Sequence, residues 1–431
     1  MHPKLLVRLA HPLRIQGNVI EAFLPGTKIG EICEIQKSLI EDDILGFAQV
    51  TGFNKENTFL SLLTDNQGFS RENVILPTGK PFSIEVHEGV IGAIIDASGA
   101  IRGRFDRQPV MPSIKGKSIV ASRVPLDFTL RRPILKPLIT GVRAIDGLLT
   151  CGMGQRIGIF ATAGCGKTSL MNMIIEHSEA DLYVIGLVGE RGREVTEFVE
   201  TMKLSSRSSK VILVYATSDR SSVERTNAAQ IASSIAEYFS DLGNNVLLFV
   251  DSITRYARAL RDVALGMGEV PARRGYPASV FEALPKLLER PGCFITGSIT
   301  AFYTVLIENE DEPDVIGDEV RSILDGHIYL SHKLAAKGQY PAIDVLQSIS
   351  RVFSNVTDNS HQQLVNRFRY FLQRQKEMQL YIDLGEYRHG ENAENDIAFN
   401  KAGDMESFIK QEISENVNMS SCLESLYECM A

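Results

Sequence analysis

The sequence predicts an α/β chain in three parts: a small N-terminal β-barrel over residues 1–80, a central parallel-sheet nucleotide-binding domain over 81–345, and a helical C-terminal domain over 346–431. Three observations predict it. Short apolar runs crowd the first 80 residues, apolar strands alternate with longer helical segments from about residue 136, and the chain after about residue 345 keeps helical periodicity alone. A length of 431 residues also exceeds what one compact core serves, which agrees with several domains.

In the first part, EICEIQ (31–36), FAQVTGF (47–53) and NTFLSLL (57–63) are each bounded by turn-forming residues. Strands this short and this closely spaced suit a small barrel. From 81 to about 135, Pro and Gly punctuate the chain, as in MPSIKGKS (111–118) and LRRPILKP (130–137). That stretch is expected to wrap onto the next domain.

The central pattern is different. QRIGIFA (155–161) reads as a buried strand, and KTSLMNMIIEHS (167–178) then places Leu170, Met171, Ile174 and Ile175 on one helical face. DLYVIGLV (181–188), KVILVYAT (210–217) and NVLLFVDS (245–252) are apolar runs of strand length with helical segments between them. Such alternation predicts a parallel sheet covered on both faces. Towards the end, VNRFRYFLQRQKEMQLYIDLGEY (365–387) is helix-like and carries mixed charge on one side.

Composition narrows the function classes. Lys and Arg number 45 against 53 Asp and Glu, a net charge of −8, so the chain is not built to coat nucleic acid or anionic lipid with its whole surface. The six cysteines form no CxxC pair, which argues against a zinc site or a disulfide framework and for a reducing compartment. The opening MHPKLLVRLAHPLRIQG lacks the apolar core and cleavage site of a signal peptide. No apolar run approaches the roughly 18 residues of a membrane helix. The expectation is a cytoplasmic chain that meets membranes only through partners.

Chemistry enters at ATAGCGKT (161–168), which follows a strand and opens a helix. This is the context of a phosphate-binding loop, G-x-x-x-x-G-K-[ST], with Ala161 in place of the first Gly. Ala163, Gly164, Cys165 and Gly166 would turn backbone amides toward phosphate oxygens, and the helix start adds a positive dipole end. Lys167 would reach the β- and γ-phosphates of ATP, and the Thr168 hydroxyl would take a position on Mg²⁺. Cys165 reads as a small filler whose side chain points away from the amides. Asp251, ending an apolar strand, can hold Mg²⁺ at the sheet's carboxyl edge or simply cap the strand. Glu190, in VGERGRE (188–194) just past a strand, can polarise an attacking water, while Arg191, Arg193 and Glu194 can equally form a solvated charge cluster.

At GERGRE (189–194), DSITRYARALRD (251–262), RRGYPASVF (273–281) and YPAIDVLQSISR (340–351) the sequence resembles the catalytic subunits of rotary ATPases and their export relatives. The stretch TCGMGQRIGIFATAGCGKTSLMNM (150–173), and the likeness along essentially the whole chain, resemble most the ATPases of bacterial type III secretion systems. The resemblance implies a RecA-like core in a homohexameric ring, with ATP and Mg²⁺ bound between neighbours. It implies that Glu190 activates water, with Arg191 as its phosphate-side neighbour, and that Asp251 is linked to Mg²⁺. Arg255 would stand near the γ-phosphate, Tyr340 would stack on adenine, and Arg351 would reach into the adjacent subunit's site.

The function so implied is ATP hydrolysis that energises unfolding, chaperone release and export of proteins. Implied partners are a central stalk, peripheral stator proteins, an export gate and chaperone–effector complexes, with the ring peripheral at the inner-membrane base of the apparatus. A flagellar export ATPase carries nearly the same motifs. A rotary synthase subunit would need a non-identical partner, whereas Glu190, Tyr340 and Arg351 lie here in one chain. An RNA-dependent hexameric motor also places a barrel before such a core. Residues 1–80, however, hold eight Lys or Arg against nine Asp or Glu, not a positive groove, so no nucleic-acid partner is expected.

Overall fold

The computed structural model describes residues 8–38, 43–63, 68–106, 116–308, 314–387, 389–390 and 392–431. The first seven residues and most of MPSIKGKS lie outside them. The N-terminal strands Pro12–Gln16, Val19–Ala22, Glu31–Gln36, Ile44–Asn54, Asn57–Leu62 and Val74–Pro81 form one antiparallel sheet, in which Asn57–Leu62 follows Val19–Ala22 and Ile44–Asn54 lies between it and Glu31–Gln36. Ala10 and Ile75 close it into a barrel through reciprocal backbone hydrogen bonds of 3.1 and 2.8 Å. Side chains alternate across a strand, so Ile20, Ala22, Cys33, Ile35, Ala48, Val50, Leu60 and Leu62 fill the interior.

The central sheet has ten strands. From one edge, its order is Ile343–Ser350, Gly326–Leu330, Arg156–Ala161, Ser298–Leu306, Asn245–Asp251, Leu182–Glu190, Val211–Thr217, Ala93–Asp96 and Ile101–Arg104; the short Gly292–Cys293 pairs with the start of Ser298–Leu306. Neighbours are parallel except Ile343–Ser350, Ile101–Arg104 and Gly292–Cys293. The wrapping segment thus does more than cover the core, because Ala93–Asp96 and Ile101–Arg104 extend its sheet. Every residue of Leu182–Glu190 is buried, as a strand covered on both faces must be. This strand runs to Glu190 itself, past the Val188 expected from sequence, because Gly189 takes a positive φ of 67° and the register shifts between Val188 and Glu190.

Helices Asn359–Asp383, Ala393–Asn400, Ala402–Ile409 and Met419–Met430 make the C-terminal part. They are not packed independently of the sheet domain. Phe368, Phe408, Cys422 and Leu426 share one core with Ile145, Leu148 and Ile175. The connection after Ile409 turns back, where Gln411 donates to Gly141 O (2.7 Å) and its backbone N–H donates to Tyr340 O (2.9 Å). Among the described residues, no helix is long and apolar enough to cross a membrane.

Candidate active site

The strand Arg156–Ala161 ends in a buried Ala161, so the methyl that replaces the first loop glycine points into protein. Gly164 and Gly166 both take φ of 84°, the left-handed conformation that L side chains rarely adopt. At Gly164 an added Cβ would meet nothing within 4 Å, so backbone conformation alone demands glycine there. The helix Lys167–His177 starts immediately afterwards and buries Leu170, Met171, Ile174 and Ile175 as the periodicity predicted. Cys165 is buried, its Sγ 2.9 Å from Thr162 Oγ1, while Ala163, Gly164 and Thr168 are exposed.

Four consecutive strands bring the remaining groups to the same carboxyl edge. Ala161, Thr304, Asp251 and Glu190 stand at or near the ends of neighbouring strands. Lys167 Nζ lies 2.6 Å from Asp251 Oδ1 and 3.5 Å from Glu190 Oε1. Thr304 donates its hydroxyl to Asp251 Oδ1 at 2.6 Å. Arg255 sits in the first turn of the helix Ile253–Gly266, whose cap Ser252 accepts the Arg255 backbone N–H. Its guanidinium lies 2.8 Å from Glu190 Oε2 and donates to Gly189 O.

Burial sets the protonation of this cluster. It opposes the charge on Lys167, yet the adjacent Asp251 and Glu190 carboxylates outweigh it and hold the ammonium above its usual pKa. Glu190 is pushed up to about 8, first by burial, then by a hydrogen bond with Glu194 and by the nearby Asp251 charge, against the pull of Lys167 and Arg255. The same hydrogen bond lowers Glu194. The opposite shifts make Glu190 the more basic carboxyl of the pair.

Tyr340 flanks this loop. Its ring atoms lie 3.5 Å from where a Cβ on Gly166 would stand, and it borders a cavity of about 1120 Å³ shared with His177, Met202, Gln411 and Ile413. Arg191 and Arg351 are not brought in. The Arg191 side chain is 78% exposed and turned outward, 3.8 Å from Glu194. Arg351 stands at the opposite end of the sheet. The strand Ile343–Ser350 runs antiparallel to its neighbour, pairing Ile343 with Leu330 and Ser350 with Gly326, while Leu330 pairs with Ala161. Tyr340 therefore enters this strand at the phosphate-loop edge, and Arg351 leaves it at the amino edge. There the Arg351 guanidinium is exposed and donates to Arg321 O at 3.3 Å.

Thr304 and the influence of Glu194 on Glu190 were not read from sequence. Thr304 carries no local signal, being an ordinary strand residue 53 positions from Asp251. Glu194 was visible only as one member of a charged run.

Among the described residues, no group of three or more His, Cys, Asp or Glu is placed to hold a metal. The donors near Lys167 are the Thr168 hydroxyl and the Asp251 and Glu190 carboxylates. Few protein ligands, all hard oxygens, suit Mg²⁺ that takes its other ligands from water and substrate phosphates.

A strand, a glycine-bent loop and a lysine facing two strand-end carboxylates define a phosphate-loop nucleotide hydrolase. Residues 141–350 match the nucleotide-binding domain of the ATP synthase alpha/beta family, and residues 357–428 match the type III secretion EscN ATPase C-terminal domain. The chain is 54% identical over 413 residues to the SPI-1 type 3 secretion system ATPase of Salmonella typhi, covering 96% of this chain and 95% of that one. It is 43% identical over 404 residues to the flagellum-specific ATP synthase of Bacillus subtilis, covering 93% and 90%. The assembled ATPase EscN of enteropathogenic E. coli superposes with a TM-score of 0.91 at 42% identity, covering 98% of this chain and all of that one. EscN in complex with its central stalk EscO gives 0.88 at 41%, with the same coverage. This chain belongs to the type III secretion system ATPase family, and its reaction is ATP hydrolysis.

Proposed function

We propose that this ATPase works as a homohexameric ring that binds Mg²⁺ and ATP between neighbouring subunits and couples hydrolysis to unfolding, chaperone release and export of proteins. One observation carries the intersubunit reading: within a single chain, Arg351 and the phosphate loop lie at opposite edges of the sheet. An arginine so placed is out of reach of its own chain's phosphate loop, which supports a role at a neighbour's. The assembled state of EscN supports the ring, and its complex with EscO supports a central stalk as partner. Stator proteins, an export gate and chaperone–effector complexes complete the proposed partners, with the ring peripheral at the inner-membrane base.

Within one site, Lys167 exchanges its Asp251 partner for the β- and γ-phosphates. Thr168 and Asp251 are the residues that would hold Mg²⁺, which when bound offsets charge on the phosphates. Glu190, once deprotonated, accepts a proton from the attacking water. Arg255 holds Glu190 in place through its guanidinium and Gly189. Tyr340 stacks on adenine, and Arg191, exposed beside the pocket, meets the phosphate side when the neighbour closes on it. Arg351 from the neighbour offsets charge on the transferred phosphoryl group, a contribution worth ~10³–10⁵-fold in rate.

Mixing two inactive variants tests this. Arg351→Ala should keep ATP binding and lose turnover; Lys167→Ala should lose turnover in its own pocket. Mixed rings should regain partial activity, because some interfaces pair an intact Lys167 with an intact Arg351. A concentration-independent wild-type rate from a confirmed monomer would overturn the intersubunit site. Rescue of an injectisome mutant and failure to rescue a flagellar one would distinguish this role from flagellar export.

A further inference from the structure

The strand that delivers Glu190 turns at Gly189, and the space beside that glycine is filled by two arginines. A Cβ on Gly189 would stand 3.3 Å from Arg255 Cδ and 3.4 Å from Arg225 Cδ. Arg255 belongs to the site already described, pairing with Glu190 Oε2 and donating to Gly189 O. Arg225 belongs to none of the motifs read from the sequence. It lies in the first turn of the helix Ser222–Asp241.

That helix start holds the end of the Glu190 strand from a second side. In the turn before it, Ser218 N–H donates to Glu190 O at 2.9 Å. Ser221 and Glu224 then form a reciprocal capping box, which fixes the backbone that leads into Arg225. The Arg225 guanidinium bridges to the helix Ile253–Gly266, the one that carries Arg255. Its Nη2 donates to Ser222 Oγ at 2.9 Å and stands 3.6 Å from Asp262 Oδ2, and Ser222 Oγ reaches the same Asp262 oxygen at 3.4 Å. Arg225 Nε, however, is buried with no hydrogen-bond partner. An arginine on a helix surface can turn to water and avoid that cost. What Arg225 gains by staying is packing of its stem over Gly189 and a carboxylate on the neighbouring helix. Each of the two adjacent cations thus has its own partner, Glu190 for Arg255 and Asp262 for Arg225.

We propose that Arg225 is a positioning residue of the hydrolytic site: its stem, anchored through Asp262, confines Arg255 against Gly189 and so keeps Arg255 paired with Glu190. The proposal rests on the reading of Glu190 as the base, and gives Arg225 no contact with substrate. Its effect reaches Glu190 through Arg255. Burial, Glu194 and Asp251 favour a proton on Glu190, whereas Lys167 and Arg255 oppose it. Loosening Arg255 therefore removes one of the two charges that favour the ionised base.

A double-mutant cycle on the full chain, read as kcat, KM and their pH dependence, provides the test. Arg225→Ala should lower kcat by up to ~10²-fold with KM for ATP little changed. It should also move the rising limb of the rate profile upward by about one pH unit as Arg255 leaves Glu190. Arg225→Lys, which keeps a stem and a charge for Asp262, should restore most of the rate and the wild-type limb. In an Arg255→Gln background, Arg225→Ala should cost little more. Losses that simply multiply would overturn the proposal, as would a lower kcat with the limb unmoved, the result of a merely structural role. Should Arg225→Ala fail to fold, Asp262→Asn, at a more exposed position, should show a smaller shift of the same sign; an unshifted limb there would equally overturn it. The base reading fails separately, through wild-type turnover in Glu190→Gln, and the cycle would still decide whether Arg225 acts through Arg255.

Discussion

The two edges of the central sheet are made by the same strands but carry opposite kinds of chemistry. At the carboxyl edge, Lys167, Asp251, Glu190 and Arg255 are largely buried and already paired with one another. At the amino edge, Arg156 and Asp325 pair beneath the surface, and the series ends in an exposed Arg351 bonded to a backbone carbonyl. Strand ends followed by helix starts converge amides and dipoles on the first edge, which is where open α/β sheets bind ligands. One chain thus gathers Lys167, Asp251, Glu190 and Arg255 at one edge and presents a separate, exposed Arg351 at the other, the arrangement from which the intersubunit proposal starts.

The largest expected effect removes the centre of the carboxyl edge. Lys167→Ala should lose turnover on the order of the ~10³–10⁵-fold that one cation supplies in phosphoryl transfer, as read by phosphate release. Near-normal turnover in a folded variant would remove the distinction between the edges. Next is Glu190→Gln, which keeps shape and loses the base. A loss of ~10²–10⁴-fold with retained ATP binding is expected, whereas a collapse of binding at unchanged turnover would make Glu190 a binding residue.

Titration sharpens the comparison further. The Glu190 pKa is raised to about 8 in the ligand-free chain, so the base is mostly protonated at neutral pH and kcat/KM should climb as pH rises toward that value. Stability moves the other way. A carboxyl that binds its proton more tightly when folded stabilises the fold at low pH and loses that contribution as pH rises through its folded pKa. The ligand-free thermal midpoint should therefore fall more between pH 6 and 8.5 in wild type than in Glu190→Gln. Glu194→Gln should shift the rate profile to lower pH, since a neutral amide donor favours the Glu190 carboxylate that Glu194 now opposes.

A smaller effect is expected at the rim. Tyr340→Ala should raise KM for ATP ~10-fold, as loss of one base–aromatic stack implies, with Tyr340→Phe close to wild type. An unchanged KM in Tyr340→Ala would place adenine elsewhere. The smallest expected effect is none. Single-stranded RNA should not stimulate the ATPase at physiological salt, given a −8 chain with a nearly neutral barrel; a several-fold stimulation would assign the barrel a nucleic-acid role.

The sequence by itself determined the phosphate loop, three of the six barrel strands and the helix after Lys167. Each rests on residues close in the chain: glycines where φ turns positive, an apolar run before the bend, a 3.6-residue apolar stripe behind it. It also marked Asp251 and Glu190 as strand-end carboxylates. Only the tertiary structure decided what those carboxylates meet. Ser298–Leu306 inserts between the strands of Ala161 and Asp251, and so brings Thr304 onto Asp251 from 53 residues away. The antiparallel return of Ile343–Ser350 likewise sends Tyr340 and Arg351 to opposite edges. Strand order and direction are set by which apolar faces pack together across long separations, and no local spacing records that choice.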